Sequence, residues 1–317
     1  MSYEIGYALS CEEHLPNDLV AYAARAEEIG FKFAGISDHF HPWTDSQGQS
    51  PMVWPVLGAI ANATSRLRVG TGVTCPTIRT HPAIIAHAAA TVGAMMPGRF
   101  FLGVGTGENL NEHVLGDRWP ESDIRQEMLA EAVEVIRLLW QGGSQSHHGR
   151  YYTVENARLY TLPDELPPIM VAAAGPKAAE LAARIGDGMV GVSPSGDAVE
   201  GYTQAGGSGP RYGQATVCWA DTEEEAAQTA HRVWPNAAVP GELAQELPMP
   251  AHFEQASQLV TPDHVSEMLP LGPDPERHIE GIRKYLDAGY DHVYVHQIGP
   301  DQEGFFRFYE QQVLPKL

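Results

Sequence analysis

The chain has 317 residues, 43% of them apolar, with 32 glycines and 24 prolines. This composition is typical of a globular enzyme with many loops and excludes a disordered or fibrous chain. The 20 basic and 40 acidic residues give a formal net charge of -20, which repels phosphates and anionic headgroups, so we expect neither nucleic acid nor a membrane as partner.

Strand-like and helix-like segments alternate from the start of the chain. The first strand is predicted at 3–9, and the first helix at 17–30, with Asn17 as its capping residue and Gly30 at its end. Seven more strands are predicted at 31–37, 67–73, 99–105, 167–175, 188–193, 212–220 and 292–298. Further helices are predicted at 52–64, 82–96, 124–140, 176–186, 222–234 and 275–289.

Eight strands, most of them followed by a helix, favour a parallel (β/α)8 TIM barrel of α/β class. We therefore expect one domain over residues 1–317, with insertions near 141–166 and 235–272. The first insertion contains a predicted hairpin at 149–163, and the second is expected to cover the barrel mouth. The stretch 196–210, which follows the sixth strand, is rich in glycine and is predicted to be a loop.

The cysteine pattern and the N-terminal residues indicate the cellular compartment. Cys11, Cys75 and Cys218 are far apart and form no CxxC pair, which disfavours a disulfide framework or a structural zinc site. The first residues lack the basic and apolar regions of a leader, and no stretch reaches the roughly 18 apolar residues of a spanning helix. We expect a cytoplasmic protein.

Polar side chains cluster where the predicted strands end. In a TIM barrel the catalytic residues lie on the loops after the strands. The stretch "GISDHFHPW" (35–43) brings Asp38, His39, His41 and Trp43 to the end of the second strand. The third, fourth and fifth strands end in "TGVTCPT" (71–77), "GTGENLNE" (105–112) and "AAAGP" (172–176).

The pair of histidines allows two interpretations. An HxH sequence at a strand end is typical of metal-dependent hydrolases, which also need a lysine or histidine from middle strands and an aspartate from the last. Here the middle strands offer no such ligand and the last offers only His296, so we predict no metal. The alternative for His39 is a loop histidine bonded to backbone.

The other motifs are ambiguous one by one. Glu108, after two glycines, suits a proton donor at the barrel mouth, and equally suits the start of a helix. It also stands where a dinucleotide fingerprint needs a third glycine, so a nicotinamide site is weakly supported. "AAAGP" indicates a phosphate-binding helix start or simple tight packing. Trp43 is suited to stacking on a ring or to forming a hydrophobic lid.

Taken together, "SDHFHPW", "GTGVTCPT", "FLGVGTGENLNE", "AAAGP" and "IGDGMVGVS" resemble the luciferase-like flavin and deazaflavin oxidoreductases. Within that family the chain is similar to the branch of coenzyme F420-dependent glucose-6-phosphate dehydrogenases, from about residue 5 to 193 and again in the C-terminal helices. The resemblance implies a homodimer of TIM barrels that holds coenzyme F420, with a cis peptide bond between Gly72 and Val73.

The resemblance also implies roles for individual residues. His39 is the base that removes a hydroxyl proton, Trp43 supports it, and Glu108 is the acid beside the deazaflavin ring. An alcohol whose carbon gives a hydride to C5 of the ring must also lose the proton of its hydroxyl group. A histidine suits the removal of this proton at neutral pH. The implied cofactor contacts are Asp38, Gly72, Val73, Thr74, Cys75, Thr106, Gly107, Asn111, Ala174, Gly175 and Ser193.

The substrate pocket departs from the pattern of the sugar-phosphate enzymes. Those enzymes bind the phosphate with two lysines and an arginine, and the matching positions here hold Ser195, Gln255 and Met268. Arg211 alone would not replace three cations. With Glu12, Ser195 and Gln255 in the pocket, we predict an uncharged small molecule as substrate, an alcohol, a hemiacetal or the corresponding carbonyl compound, and not glucose 6-phosphate.

Two other functions remain open. One is an FMN-dependent monooxygenase of the same family, with FMN in place of F420, and the other is a cofactor-binding barrel without turnover. The set of His39, Trp43 and Glu108 argues against both. Arg79 is predicted to lie on an exposed, solvated loop, with contact to the anionic tail of F420 as the alternative.

Overall fold

Eight parallel strands close into a barrel in the computed structural model, which describes residues 3–239 and 241–317. The strands in chain order are β1 (Glu4–Leu9), β2 (Phe33–Ile36), β3 (Arg68–Thr71), β4 (Phe100–Val104), β5 (Gln145–His148), β6 (Thr153–Ala157), β7 (Ile169–Ala172), β8 (Gly188–Gly191), β9 (Arg211–Val217) and β10 (His292–Gln297). β5 and β6 form a separate hairpin, and the barrel closes where β10 pairs with β1. The predicted TIM barrel is confirmed.

Helices surround the barrel and extend its loops. They are α1 (Pro16–Ile29), α2 (Val53–Ala63), α3 (Pro82–Met95), α4 (Asn109–Glu112), α5 (Ser122–Trp140), α6 (Pro176–Ile185), α7 (Gly196–Gln204), α8 (Glu223–Val233), α9 (Leu243–Glu246), α10 (Pro250–Ala256), α11 (Pro262–Met268), α12 (Pro275–Asp287) and α13 (Gln302–Phe308). A π-helix (Tyr309–Val313) continues α13. In the part of the chain that the structure describes, no helix has the length and hydrophobicity needed to cross a bilayer.

Two predictions of local structure are wrong. Asn17 does not cap α1, because the helix already begins at Pro16, whose fixed φ and missing N–H suit a first turn. The stretch after β8 is not all loop: α7 occupies its first part, and Ser195 Oγ caps it by accepting a hydrogen bond of 3.2 Å from the N–H of Ala198. Buried Val199 and Tyr202 explain why this glycine-containing segment is helical.

Aromatic side chains fill the barrel interior. The rings of Phe101 and Tyr212 stack with their centroids 4.8 Å apart, and Phe33 meets Tyr212 edge-on at 5.1 Å. Tyr294 belongs to the same buried cluster. Burying each such ring stabilises the fold by roughly 1.5 to 3 kcal/mol. These large side chains block the interior, so the space for a ligand lies above them, at the carboxyl ends of the strands.

One contiguous stretch lies over that end of the barrel, and we name residues 234–239 and 241–270 the cover segment. It contains a short 3₁₀ helix (Pro235–Ala238) and the helices α9, α10 and α11. Arg125 of α5 anchors α9 through bonds of 3.2 Å to Glu246 and 3.0 Å to Gln245. The helices of this stretch are short, and for that reason their periodicity in the sequence is weak.

Candidate active site

The ends of the barrel strands and the cover segment enclose a cleft of about 700 Å³. This volume lies within the range of about 300 to 1,000 Å³ that is usual for small-molecule and cofactor sites. His39, Trp43 and Glu108, which the sequence predicts to act in the reaction, all line this cleft, and so does Glu12. Segments far apart in the sequence therefore meet at one site.

His39 enters the cleft from the loop after β2, and both of its ring nitrogens have partners. Nδ1 lies 3.2 Å from the carbonyl oxygen of His41, and because a carbonyl only accepts, Nδ1 carries the hydrogen. Nε2 lies 3.3 Å from Oε1 of Glu12. Nε2 is therefore the nitrogen that can take up a proton, and the adjacent carboxylate would stabilise the charged ring.

Glu12 is buried, and its carboxylate is held in place by neighbouring hydroxyl groups. Its Oε2 accepts hydrogen bonds from Ser10 Oγ at 3.0 Å and from Ser37 Oγ at 2.6 Å. Burial alone would raise the pKa of Glu12, but the His39 ring, the Ser37 hydrogen bond and the His296 ring together hold this pKa below its usual range.

Trp43 joins the histidine to the cover segment. Its ring lies 4.9 Å from the His39 ring and 5.2 Å from the Phe253 ring, measured between centroids. Its backbone N–H donates to Oε1 of the buried Gln47 at 2.8 Å. Gln47 Nε2 in turn donates to the Val233 carbonyl at 3.1 Å. The loop after β2 is thereby connected to the last residue of α8, directly before the cover segment.

Glu108 enters the cleft from the loop between β4 and α4. It is the residue that precedes the helix, but its side chain makes no capping hydrogen bond and lines the cleft. Asn111 holds this carboxylate, since its Nδ2 donates to Glu108 Oε2 at 3.3 Å. The same amide accepts at Oδ1 from the backbone N–H groups of Phe40 at 2.9 Å and His41 at 3.2 Å.

Asn111 is thus placed differently from the predicted cofactor contact. It is 1% exposed and does not line the cleft. It lies behind the cleft wall and connects the helix that carries Glu108 with the loop that carries His39. Its role in the structure is to fix the relative positions of these two side chains.

A second buried network lies behind the same wall. Asp38 accepts from Thr74 Oγ1 at 2.8 Å and from the Arg79 guanidinium at 3.1 Å. The backbone N–H of Arg79 donates to Glu112 at 2.8 Å. The Arg79 side chain is only 15% exposed and pairs with both carboxylates, so the prediction of a solvated loop arginine is wrong. Asp38 and Thr74 do not line the cleft.

Glu112 is the most strongly shifted carboxyl group of this network. Burial raises its pKa to about 7 despite the opposing charge of Arg79, and the charges of Glu108 and Asp38 add to the rise. The neighbouring Gly107 has a φ of 76°, and a Cβ there would lie 2.6 Å from Cys75 Sγ and 2.9 Å from Glu112 Cγ. Only glycine fits this position.

The remaining predicted contacts divide into two groups. Gly72 and Val73, joined by a cis peptide bond as the resemblance implies, line the cleft together with Thr106, Gly107, Ala174 and Ser193. The other group, Cys75, Gly175, Ser195 and Gln255, does not line it. Cys75 is buried and burial raises the pKa of its thiol, Gly175 and Ser195 precede α6 and α7, and Gln255 is exposed on α10.

A second imidazole in the cleft was not predicted. His296, at the end of β10, is 2% exposed and lines the cleft, and its Nε2 lies 2.8 Å from Oε1 of Glu13. Glu12 and Glu13, consecutive in the loop after β1, therefore face one histidine each, from the two strands beside β1. The signal in the sequence was alternation along the last strand, which places His296 on the same side as the inward-facing Tyr294.

Within the described ranges, no group of three or more His, Cys, Asp and Glu side chains is arranged to hold a metal ion. His41, the partner of His39 in the HxH sequence, points to α4 instead. Its Nδ1 donates to the Leu110 carbonyl at 2.9 Å, because the carbonyl only accepts. The two histidines therefore have different tasks.

The sequence pattern of the family described as luciferase-like monooxygenase matches residues 3–292. The chain belongs to this family. The F420-dependent glucose-6-phosphate dehydrogenase of Microbacterium testaceum is 37% identical, over 98% of this chain and 96% of that protein. The protein of the same name from Nakamurella multipartita is 38% identical, over 98% and 96%.

A solved member of this family has nearly the same fold. An F420-dependent secondary alcohol dehydrogenase in complex with an F420–acetone adduct is 31% identical, covers 99% of both chains, and superposes with a TM-score of 0.91. The resemblance to the luciferase-like family and to its F420-dependent branch is confirmed.

Proposed function

We propose that the protein is an F420-dependent oxidoreductase. It transfers a hydride between the carbon of an uncharged alcohol or hemiacetal, or the corresponding carbonyl, and C5 of the deazaflavin. The observation that carries this proposal is the pairing of His39 with the buried Glu12 at the wall of a cleft that Glu108 also lines. The names of its relatives support the cofactor.

The cleft suits a flat ring system with a long side chain. We name the cleft surface formed by the carboxyl ends of the strands and the loops after them the strand-end wall. Many of its residues are small, namely Gly72, Val73, Gly105, Thr106, Gly107, Ala172, Ala173, Ala174 and Gly191. Such residues leave room for a planar ring to approach the backbone closely. F420 bound there would supply the carbon that accepts or returns the hydride.

The residues of the chain handle the proton. His39 Nε2 takes the proton of the substrate hydroxyl, and Glu12 stabilises the charged imidazole that results. A positioned base of this kind contributes typically about 10²- to 10⁴-fold to the rate. Trp43 holds the histidine ring in place from one side. Glu108, held by Asn111, would provide the acid on the other side of the cleft.

The substrate is not predicted to carry a phosphate. The three positions that match phosphate-binding cations hold Ser195, Gln255 and Met268. Arg211 does not compensate, because it pairs with Asp291 through bonds of 2.9 and 2.6 Å at the start of β9, the end of the strand away from the cleft. This distinguishes the proposed substrate from the one in the names of the curated relatives.

The test is a fluorescence titration of the protein with F420 and, separately, with FMN, followed by a panel of alcohols watched at the F420 absorbance band. We expect micromolar binding of F420 and bleaching by a neutral alcohol, with none by glucose 6-phosphate. A preference for FMN would contradict the cofactor and favour a monooxygenase. F420 binding without turnover of any alcohol or carbonyl compound would favour a non-catalytic barrel. That the protein forms a homodimer stays a prediction, which this titration does not address.

A further inference from the structure

The cover segment presents an uncharged surface to the cleft. Ten of its described residues line the cleft, and none of these ten is charged: Trp234, Asn236, Ala237, Val239, Ala244, Gln245, Phe253, Met268, Leu269 and Pro270. The charged groups and the histidines of the cleft come instead from the strand ends, apart from Lys284 of α12. A ligand between the two surfaces therefore meets polar chemistry on one side and mainly hydrocarbon on the other.

The two polar side chains among these ten are already bonded within the protein. Oδ1 of Asn236 accepts from Gln47 Nε2 at 3.3 Å, and Oε1 of Gln245 accepts from the Arg125 guanidinium at 3.0 Å. Their carbonyl oxygens are thus engaged in holding the cover segment in place. A substrate rich in hydroxyl groups would find few free partners there, and losing water without replacing its hydrogen bonds is costly.

Hydrophobic side chains also remain exposed within the cleft. Val192, in the loop after β8, is 67% exposed, and Met268, at the end of α11, is 51% exposed, and both line the cleft. Exposed apolar surface that is concentrated in a concave site marks a place for an apolar ligand. Phe253 and Val239 extend this surface towards Trp43, beside the proposed base.

We propose that the cover segment binds a hydrocarbon substituent of the substrate, so that the substrate is an alcohol or ketone with an apolar chain or ring and not a polyol. This inference rests on the proposed function, because it assumes that the oxygen-bearing carbon lies at His39. The strand-end wall then acts on that carbon, while Val239, Phe253 and Met268 enclose the rest of the molecule.

The inference predicts a quantitative dependence on chain length. Each methylene that moves from water to the apolar surface should tighten binding about fourfold, which corresponds to about 0.8 kcal/mol. Tertiary alcohols test this without turnover, since the carbon that bears their hydroxyl has no hydrogen to give. We would measure their dissociation constants by calorimetry with F420 present, from 2-methyl-2-propanol to 2-methyl-2-heptanol, and kcat/KM for the matching secondary alcohols.

Met268 and Met249 provide a matched pair of variants. Both are about half exposed, at 51% and 45%, and both belong to the cover segment, but only Met268 lines the cleft. Met268→Arg should weaken binding of the longest tertiary alcohol about tenfold and flatten the dependence on chain length. Met249→Arg should leave both unchanged. Met268→Gln, which adds no charge, repeats the test if the arginine variant does not fold.

The outcomes separate this inference from the proposed function. Oxidation of secondary alcohols without any gain from added methylenes, or equally tight binding of glycerol or glucose, would overturn the inference and leave the function intact. A steep dependence of tertiary alcohol binding without oxidation of any alcohol would support the apolar site while contradicting the proposed function. Equal effects of the two methionine variants would also overturn the inference.

Discussion

The strand-end wall of the cleft and the cover segment differ in chemistry and in construction. The strand-end wall carries Glu12, His39, Glu108 and His296, which come from the ends of four different strands, β1, β2, β4 and β10. The cover segment is one contiguous stretch without a charged side chain among its described cleft residues. Under the two proposals above, the strand-end wall carries out the reaction and the cover segment recognises the substrate, so variants of the two surfaces should have different effects.

The largest effect is expected at the proposed base. His39→Ala should lower kcat/KM for an alcohol by about 10²- to 10⁴-fold, because the base acts in the transition state. F420 affinity should change little, as measured by fluorescence titration. His148→Ala, on the exposed hairpin strand β5, is the matched control and should retain full activity. Parallel loss of cofactor binding in His39→Ala would contradict the assignment.

The network behind the strand-end wall predicts a pH dependence of stability. The pKa of Glu112 is raised from 4.5 to about 7 in the folded protein, so the fold favours its neutral form. Its contribution is complete below the unfolded pKa and is lost as pH rises through 7, by roughly 3 kcal/mol in total. Urea unfolding between pH 4 and 8 should show this fall, and Glu112→Gln should reduce it.

Glu267 of the cover segment is the control for that measurement. It is exposed on α11, so Glu267→Gln should leave the slope of the unfolding free energy against pH as it is in the unmodified protein. If the unfolding free energy has the same slope against pH in the unmodified protein and in Glu112→Gln, the buried network does not titrate between pH 4 and 8.

A smaller effect is expected for Asn111, which connects Glu108 to the loop that carries His39. Asn111→Leu removes the bonds that join Glu108 to the backbone of the loop carrying His39. We expect kcat to fall about tenfold and the free energy of unfolding to fall by about 1 to 3 kcal/mol, since backbone donors lose their partner. Asn62→Leu, on the exposed face of α2, should change neither value. Unchanged kcat in Asn111→Leu would show that the two groups are positioned independently.

The smallest effect is expected for Gln47, which connects the loop after β2 to the cover segment. Gln47→Leu breaks the bonds from Trp43 and to Val233 and Asn236. Because it loosens the cover segment, KM for the alcohol should rise about threefold to tenfold while kcat falls less. Gln204→Leu, exposed on α7, serves as the control. A fall in kcat with constant KM would show that the strand-end wall depends on the cover segment for its chemistry.

The sequence predicts the barrel and the residues at its strand ends well because both follow local rules. Alternating strands and helices determine the barrel, and residues after a strand reach the same end of it. This placed His39, Trp43 and Glu108 correctly at the cleft. Partners distant in sequence were not predictable: Glu12 binds His39 across 27 positions, and Arg79 is buried only because Asp38 and Glu112 converge on it.

The orientation of side chains and the short helices also escaped prediction. Asn111 and Thr74 occupy positions beside the cleft but point behind its wall, and no spacing in the sequence distinguishes the two directions. The helices α9, α10 and α11 are too short to show a periodic apolar face. α9 contacts Arg125 and α10 contacts Trp43, and both partners come from distant parts of the sequence.

The contiguity of the cover segment has a consequence for inheritance. Recombination exchanges continuous stretches of a gene, and this stretch contains most of the surface that would meet the variable part of a substrate. A single exchange between two related genes would transfer a new substrate range, while the histidines and carboxylates at the strand ends are retained. Under the proposed division of roles, one exchange of this stretch would alter the substrate range without altering the residues proposed to react.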